Sequence, residues 1–313
     1  MNQNHKIYVA GHRGLVGSAL IRRLEQLGYR KIITRTSRQL DLRDQQLVNH
    51  FFQTEKPEYL FLAAAKVGGI YANNRYPGAY IYDNLAIQTN VIHAAYRYGV
   101  KKLLFMGSSC IYPRLAPQPL KEEYLLNGPL EPSNEPYAVA KIAGIKMCEA
   151  YNRQYGTDFL AVMPANLYGP FDNFDLESSH VLPALLRKMH EAKLAEKEEV
   201  VIWGSGKPRR EFLHVDDLAD ACVYLMNYYH SGDLGSLVNI GTGVDLTILE
   251  LAETIKNIVG YTGKLVFDLG RPDGTPRKLL DLTRINRLGW QARIPLMEGI
   301  RLTYEWYKRV RDI

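Results

Sequence analysis

The chain has 313 residues, of which 46% are hydrophobic and 23% are charged, and its formal net charge is +6. This length allows a sizeable core divided between two lobes, and the composition is that of an ordinary soluble globular protein. No run approaches the roughly 20 apolar residues of a membrane span. The 39 basic residues are mixed with 33 acidic ones, so we expect neither a membrane nor a nucleic acid as a partner.

The chain has three cysteines, Cys110, Cys148 and Cys222, an odd number without the spacing of a metal site. This usage is typical of a reducing compartment, and we expect no bound metal. The first residues lack the apolar stretch and the cleavage site of a signal peptide. We therefore expect a cytoplasmic protein.

Strands and helices alternate through the first half of the chain. Apolar, β-branched runs predict the strands "KIYVAG", "KIITRT", "EYLFLAAA", "KKLLFMGSS" and "FLAVMPANLYG". Amphipathic stretches predict the helices between them, "GSALIRRLEQLG", "DQQLVNHFFQTEKP", "NLAIQTNVIHAAYRYG" and "PYAVAKIAGIKMCEAYNRQYG". This alternation predicts an α/β fold with a Rossmann-type, doubly wound parallel sheet, in which ligands bind beyond the carboxyl ends of the strands.

The alternation stops after "NLYGP", which predicts a second lobe. We assign residues 1–170 and roughly 211–243 to a dinucleotide-binding domain. Residues 171–210 and 244–313 are assigned to a smaller C-terminal α/β lobe that binds the substrate.

Three glycines between the first strand and the first helix have the spacing GxxGxxG, at Gly11, Gly14 and Gly17. Glycine allows a tight turn and a close approach of the backbone to a pyrophosphate, which the start of the helix attracts. Three glycines alone also fit a plain turn. Because a strand precedes them and a helix follows, we expect a dinucleotide site.

The second strand ends near two arginines, Arg35 and Arg38, with no acidic residue before Asp41. An acid at this place favours NAD, whereas arginine accommodates the 2′-phosphate of NADP. Arg13 in the glycine loop is a third candidate for that phosphate. Any one of these arginines also fits a solvated surface charge, but together they favour NADP(H). The pair Asp41–Leu42 lies where an adenine contact is expected.

Tyr137 and Lys141 are four residues apart on one predicted helix, so their side chains share a face. A nearby cation lowers the pKa of a tyrosine, which then exchanges a proton with a carbonyl oxygen. Ser108 or Ser109, at the end of the fourth strand, supplies a second hydrogen bond to that oxygen. The alternative is a surface Tyr and Lys on an amphipathic helix.

Several stretches together carry a resemblance to a known family: "GHRGLVGSA", "LAAAKVGGI", "GSSCIYP", "NEPYAVAKIAGIK", "NLYGP", "SSHVLPALL", "WGSG" and "REFLHVDD". Nearly end to end, the chain resembles the nucleotide-sugar enzymes of the extended short-chain dehydrogenase/reductase family. The resemblance implies a bifunctional enzyme that converts GDP-4-keto-6-deoxy-D-mannose to GDP-L-fucose. Such an enzyme epimerises C3 and C5 and then reduces C4 with NADPH.

The resemblance also implies residue roles. Ser108, Tyr137 and Lys141 match the reductase triad, and Cys110 and His180 match the acid/base pair of epimerisation. Further cofactor contacts fall at Leu15, Val16, Pro164, Asn166 and Leu167, and again at Lys141 and His180. It implies a homodimer as well, built as a four-helix bundle from helices near 85–98 and 137–155.

Cys110 has a physical reason to be in this site. Protons on C3 and C5 of the sugar are acidic because C4 is a ketone, and a thiol is a plausible base. Cys110 lies two residues beyond Ser108, so on an extended strand end it would point to the same side. His180 titrates near neutral pH and would deliver the proton. The alternatives are a buried structural thiol and an ordinary core or surface histidine.

The second lobe offers four candidate substrate contacts. Lys188 and Arg210 would bind the diphosphate, Trp203 would pack on the base or sugar, and Asp273 would bind ribose or guanine. Each also fits an exposed charge or a packed ring. Ser37 and Lys188 depart from the family pattern, which has arginine at both places.

Two other functions fit the same fold. One is an NAD-dependent nucleotide-sugar epimerase or dehydratase, and the other is a non-catalytic dinucleotide-binding sensor. A sensor has no need of Ser108, Tyr137 and Lys141 together.

Overall fold

Six parallel strands form the central sheet of the protein, described here by a computed structural model that covers residues 1–235, 237–271 and 273–311. In chain order the strands of the described residues are β1 (Ile7–Ala10), β2 (Ile32–Ile33), β3 (Tyr59–Leu62), β4 (Lys102–Met106), β5 (Phe159–Pro164), β6 (Asn166–Tyr168), β7 (Glu199–Trp203), β8 (Arg209–His214), β9 (Leu237–Ile240), β10 (Asp245–Thr247), β11 (Lys264–Asp268) and β12 (Arg277–Lys278). The central sheet has the order β2-β1-β3-β4-β5-β9.

Helices cover this sheet and build the second lobe. They are α1 (Leu15–Gln26), α2 (Gln45–Glu55), α3 (Ile70–Arg75), α4 (Pro77–Arg97), α5 (Glu135–Tyr155), α6 (Val181–Leu194), α7 (Val215–Tyr228), α8 (Ser231–Leu234), α9 (Ile248–Val259), α10 (Thr283–Arg287) and α11 (Leu296–Arg311). Helix α1 packs against α7, and α4 packs against both α2 and α5. The predicted doubly wound α/β fold is therefore confirmed.

Continuous burial explains the central strands. Every residue of β4 ("KLLFM") and of β5 ("FLAVMP") is buried, as expected for parallel strands covered on both faces. The predicted fifth strand is nevertheless two strands. Pro164 has no N–H to continue the ladder, and after Ala165 the chain turns away so that β6 pairs with β8 in a second sheet.

Two predicted boundaries differ from the structure. Strand β4 ends at Met106, and Ser109–Ile111 form a 3-10 turn capped by Ser108 instead of an extended strand end. Helix α4 begins at Pro77, before the predicted start, because proline is well suited to the first turn of a helix.

The chain leaves β1 toward β2 on one side and then passes to β3 on the other. Strand β1 therefore marks the point where the strand order reverses, and such a point is where doubly wound sheets bind ligands. Gly11 lies there at a φ of +86°, and a Cβ atom on it would be 2.7 Å from the backbone nitrogen of Ala64. The glycine loop is held against the end of β3.

The second lobe contains a parallel β7–β11 pair and a sheet in which β8 pairs with β6, β10 and β12. Its apolar core is separate from that of the central sheet and includes Leu186, Met189, Leu251 and Ile255. Leu280, Ile285 and Trp290, which the sequence assigns to the second lobe, pack on the first core instead. Within the described ranges, no helix is both long and apolar enough to cross a membrane.

Candidate active site

A cavity of about 410 Å³ lies beyond the carboxyl ends of β4 and β5, between the two cores. It brings together ten of the residues predicted from the sequence: Ser108, Cys110, Tyr137, Asn166, Leu167, His180, Lys188, Trp203, Arg210 and Asp273. Lys141 does not line the cavity but lies directly behind Tyr137. The glycine loop and the arginines of the predicted cofactor site lie outside this cavity.

Helix α5 positions Tyr137 and Lys141. The Lys141 Nζ donates a hydrogen bond to the carbonyl oxygen of Met106 at 2.8 Å and lies 5.8 Å from the centre of the Tyr137 ring. Burial lowers the pKa of Lys141 to about 8. The first turn of α5 thus faces the end of β4, where Ser108 is located.

The surroundings of the Tyr137 phenol act on its ionisation in opposite directions. Burial raises the pKa of the Tyr137 phenol above its usual value, and the negative charge of a Cys110 thiolate would raise it further. A hydrogen bond with Ser108 opposes both effects. Ser108 is therefore a group that favours the phenolate in this site.

Cys110 reaches the cavity by a route other than the one predicted. It lies inside the 3-10 turn Ser109–Ile111, and its backbone N–H is directed at the Ser108 hydroxyl at 3.5 Å. The argument from an extended strand was therefore wrong, although the thiol does line the cavity with Ser108. Burial raises the pKa of the thiol, and Lys278 opposes this more strongly than Lys141 does.

His180 is the residue that precedes α6, and its side chain is accessible from the cavity. The residue is exposed to the cavity, but the protein atoms around it desolvate the imidazole and so lower its pKa. Lys278 lowers this pKa further.

Lys278 carries no signal in the sequence that marks it as functional. It lies on β12, where it pairs in register with Arg210 of β8, and it lines the same cavity. Only the parallel pairing of these two strands, which are far apart in the chain, brings the ammonium group to Cys110 and His180. No periodicity or spacing predicts such a contact.

Two cations flank Trp203 in the second lobe. The Lys188 Nζ is 5.0 Å from the centre of the indole ring, and the Arg271 guanidinium is 4.7 Å from it. Lys188 also donates a hydrogen bond to the carbonyl of Val201 at 3.0 Å. Burial lowers the pKa of Arg210 to about 10, so this guanidinium remains charged at neutral pH.

Asp273 has a structural task that the sequence did not indicate. Its carboxylate accepts hydrogen bonds from the backbone N–H of Ser205 at 2.7 Å and from the Ser205 hydroxyl at 2.8 Å. These bonds fasten the turn that follows Trp203. Gly204, at a φ of +79°, has no room for a Cβ beside this carboxylate.

The three candidate arginines of the cofactor site differ in their surroundings. Arg35 pairs with Glu55 and lies over the ring of Phe51. Arg13 and Arg38 are exposed, and Arg38 has no hydrogen bond or ion pair within the described part of the chain. The structure therefore leaves Arg38 free at the end of β2, whereas Arg35 is engaged.

The other predicted cofactor residues surround the same end of the sheet. Leu15 and Val16 begin α1, Leu42 is buried, and Pro164 ends β5. Asp41 pairs with Arg43 at 2.8 Å, and Arg43 also contacts Asp83 at 3.1 Å.

The NAD dependent epimerase/dehydratase family model matches residues 7–241. The chain belongs to this family. It is 60% identical over 307 residues to the putative GDP-L-fucose synthase 2 of Arabidopsis thaliana. The aligned region covers 98% of this chain and 93% of that protein. It is 56% identical over 313 residues to the GDP-L-fucose synthase of Escherichia coli (strain K12), with 98% of each chain covered.

Among solved structures, the chain is similar to the GDP-D-glycero-L-gluco-heptose synthase of Campylobacter jejuni, determined in the presence of NADPH. The two share 45% sequence identity at a TM-score of 0.93, over 98% of this chain and 99% of that one. These likenesses confirm the predicted family, fold class and enzyme class.

Proposed function

We propose that the protein is a GDP-L-fucose synthase that epimerises C3 and C5 of GDP-4-keto-6-deoxy-D-mannose and then reduces C4 with NADPH. The observation that carries this proposal is that one cavity holds a ketone-binding pair, Ser108 and Tyr137, together with a thiol and an imidazole, Cys110 and His180. The chain that builds this cavity is more than half identical to GDP-L-fucose synthases over nearly its full length.

In epimerisation, Tyr137 and Ser108 hold the C4 oxygen by hydrogen bonds and stabilise the enolate that forms when a neighbouring C–H bond breaks. The Cys110 thiolate removes the proton from C3 or C5. His180 then returns a proton to the opposite face of that carbon, which inverts the centre. The proton gained by Cys110 returns to His180 through solvent, and the pair is restored.

In reduction, the hydride that C4 receives would come from NADPH when it is bound. Tyr137 donates its hydroxyl proton to the C4 oxygen, and Ser108 keeps that oxygen in place. Lys141, held by the carbonyl of Met106, supplies positive charge behind the phenol while Tyr137 loses its proton. The same carbonyl-binding pair therefore serves both half-reactions.

The glycine loop fits a dinucleotide. A Cβ on Gly17 would lie 2.1 Å from the carbonyl oxygen of Gly11, so the start of α1 approaches the loop as closely as backbone allows. This brings the N-terminus of α1 to the position where a pyrophosphate binds in such folds. Arg13 and Arg38 would hold the 2′-phosphate of NADP(H). Arg210, Lys278 and Lys188 would hold the diphosphate of the GDP sugar.

We further propose a cytoplasmic homodimer. The cysteines Cys110, Cys148 and Cys222 are all free, as in proteins of reducing compartments. Helices α4 and α5 pack side by side, and their exposed apolar side chains include Tyr82 on α4 and Val139 on α5. A second copy would cover this face in a four-helix bundle.

The proposal is tested in heavy water with the purified protein, NADPH and GDP-4-keto-6-deoxy-D-mannose. NADPH absorbance reports reduction, and NMR of the product reports deuterium at C3 and C5. We expect loss of NADPH with deuterium at both carbons. NADPH loss without deuterium would mean a simple ketoreductase, and no loss at all would favour the NAD-dependent epimerase or sensor alternatives.

Two variants assign the roles. Cys110→Ser should block proton exchange at C3 and C5 while NADPH still binds. Tyr137→Phe should mainly suppress hydride transfer. Deuterium uptake by Cys110→Ser at the wild-type rate would remove Cys110 from the mechanism.

A further inference from the structure

Three polar atoms of the cavity residues are buried without a hydrogen-bond partner among the described residues: the side-chain oxygens Oδ1 of Asn73, Oδ1 of Asn134 and Oγ of Ser179. A buried polar group without a partner costs free energy of folding, and native proteins keep few of them. The three residues line the cavity, so a ligand that enters it can supply the missing partners after a small adjustment of these side chains.

The three residues come from chain segments that contact one another. Helix α3, which carries Asn73, packs against the 3-10 turn Pro132–Asn134. The residue before α3, Gly69, donates its N–H to the carbonyl of Ser178 at 2.9 Å, and a Cβ on Gly69 would lie 2.6 Å from the carbonyl oxygen of Ser179. Asn73, Asn134 and Ser179 thus belong to one region, which we call the polar wall.

The orientation of Asn73 is set by its neighbours. Its Nδ2 donates hydrogen bonds to the carbonyl oxygens of Gly68 at 2.8 Å and of Gly69 at 3.0 Å. A flipped amide would direct Oδ1 at these two acceptors, so the flip is excluded. The side chain is only 5% exposed. The fold therefore holds a hydrogen-bond acceptor in the wall and gives it no donor.

The side-chain oxygen of Asn134 also has no structural role. It precedes the first residue of α5, but among the described residues its side chain makes no capping hydrogen bond. Asparagine is favoured at this position because it caps the helix. Here that stabilisation is absent, and the amide is left for another use.

The position of the polar wall relative to the reacting groups decides what it would bind. Asn134 lies three residues before Tyr137, and Ser179 is adjacent to His180. The cations assigned to the diphosphate, Lys188 and Arg210, belong to the second lobe, on α6 and β8. A ligand whose diphosphate binds these cations and whose ketone binds Tyr137 has its sugar ring beside the wall.

We propose that the polar wall binds the hydroxyl groups of the sugar ring and selects for them. This inference rests on the proposed function, which places the ketone at Tyr137. In GDP-4-keto-6-deoxy-D-mannose, C4 carries the ketone and C6 carries no oxygen, so O2 and O3 are the free hydroxyls of the hexose. Each is a hydrogen-bond donor, which is what the two asparagine oxygens lack.

The wall also has a role in catalysis. The hydroxyl on C3 is attached to one of the carbons that Cys110 deprotonates. A hydrogen bond to that hydroxyl fixes the rotation of the ring about the line from the diphosphate to the ketone. With the ring held in this way, the C3–H bond faces Cys110 in a defined direction, which a ring held only by its ketone would not ensure.

The test uses Asn134→Ala and Ser179→Ala, because neither removes a hydrogen bond from the free protein. We expect each to melt no lower than wild type, while kcat/KM for GDP-4-keto-6-deoxy-D-mannose falls about tenfold. Ser178→Ala is the matched control. Its hydroxyl bonds to Asp175 at 2.8 Å and does not line the cavity, so it should lower the melting temperature and leave kcat/KM unchanged.

Ligand binding separates the wall from the nucleotide site. By calorimetry, both variants should bind GDP as wild type does and should bind GDP-mannose, which keeps O2 and O3, more weakly. A 3-deoxy analogue of the substrate lacks O3. The variant that removes the partner of O3 should therefore weaken binding of this analogue less than it weakens binding of the substrate. Equal weakening of GDP and GDP-mannose, or kcat/KM within about twofold of wild type in both variants, would overturn the proposal.

The same experiments distinguish a failure of the proposed function from a failure of the proposed sugar site. If wild type does not convert GDP-4-keto-6-deoxy-D-mannose, the proposed function fails, and the ratio of the GDP-mannose and GDP affinities still decides whether the wall binds a sugar. If Asn134→Ala and Ser179→Ala lose stability together with activity, their role is structural and the wall is not a sugar site.

Discussion

Lys278 acts in opposite senses on the two groups assigned to epimerisation. Its positive charge favours the Cys110 thiolate and disfavours the His180 imidazolium. When a thiol ionises more easily, a larger fraction of it is thiolate and can act as a base at neutral pH. An imidazolium with a lowered pKa releases its proton more readily. Lys278 thus assists Cys110 as a base, whereas burial and Lys278 together reduce the fraction of His180 that is imidazolium at neutral pH.

Replacing Lys278 by methionine should therefore raise the pKa of the Cys110 thiol, because it removes the nearby positive charge. Less thiolate is then present at pH 7, so deuterium exchange at C3 and C5 slows about tenfold and its pH profile moves to higher pH. The thiol is followed directly by the pH dependence of iodoacetamide labelling. Cys148 and Cys222 are 0% exposed, so they react slowly.

Lys278→Arg is the control, because it keeps the charge. It should hold the labelling profile near that of wild type, even if substrate binding changes. An unchanged profile in Lys278→Met would show that the ammonium group does not act on the thiol.

Arg35 and Arg38 make a second matched pair. Arg38→Ala should raise the KM for NADPH about tenfold and leave that for NADH unchanged, since it would remove a contact to the 2′-phosphate only. Arg35→Ala breaks the pair with Glu55 and should lower stability without changing the preference for NADPH over NADH. The measurement is kcat/KM with each cofactor. If Arg35→Ala loses the preference for NADPH and Arg38→Ala keeps it, then Arg35 and not Arg38 binds the 2′-phosphate.

At the scale of elements, the sequence predicted what depends on local pattern. Continuous apolar runs such as "KLLFM" and the helix that carries Tyr137 and Lys141 were predicted correctly, because burial and periodicity are visible within a few residues. The 3-10 turn at Cys110 and the break after Pro164 were not. Both depend on where the chain must go next, and that is decided by tertiary contacts.

The same distinction holds for the site. Ser108 and Tyr137 were predicted from short motifs, and His180 was predicted from the family resemblance. Lys278 and Asn73 were not, since each enters the cavity through a contact between segments distant in the chain, β12 with β8 and α3 with the turn at 132–134. Neighbouring residues give no sign of such contacts.

The glycine loop allows a prediction at this scale. A Cβ at Gly17 would overlap the Gly11 carbonyl, whereas one at Gly14 would lie 3.6 Å from the same oxygen, an ordinary contact. Gly17→Ala should therefore destabilise the protein by about 1–3 kcal/mol. Gly14→Ala should cost less, about 0.5–1 kcal/mol, because alanine is a poorer N-cap than glycine. Denaturant unfolding measures both, and equal effects would contradict this packing.

Because Gly14→Ala keeps its fold, it also reports on the cofactor. Any rise in its KM for NADPH then reflects crowding of the bound pyrophosphate by the added methyl group and not a distorted loop. Gly17→Ala cannot make this distinction.

For the whole molecule, a buried carboxylate joins the two parts that enclose the cavity. Glu211 of β8 is 0% exposed and accepts hydrogen bonds from the backbone N–H groups of Thr242 at 2.6 Å, Gly243 at 2.7 Å and Leu280 at 2.8 Å. It holds β8, the loop after β9 and the segment before α10 at fixed spacing. The positions of Arg210 and Lys278, next to it on β8 and β12, are thereby fixed relative to the central sheet.

The exposed apolar face of α4 and α5 leads to the last prediction, on assembly. Ala143 is exposed on α5, one turn beyond Val139, which is 40% exposed, so a charge there should not disturb the monomer fold. In a two-fold dimer through this face, Ala143→Glu would bring two carboxylates into an apolar interface, which is strongly unfavourable. Sedimentation velocity should show a dimer for wild type and a monomer for this variant. The control is Leu249→Glu, at an exposed site on α9, which should remain dimeric. A dimeric Ala143→Glu would place the interface elsewhere. A monomeric wild type would mean that there is no dimer.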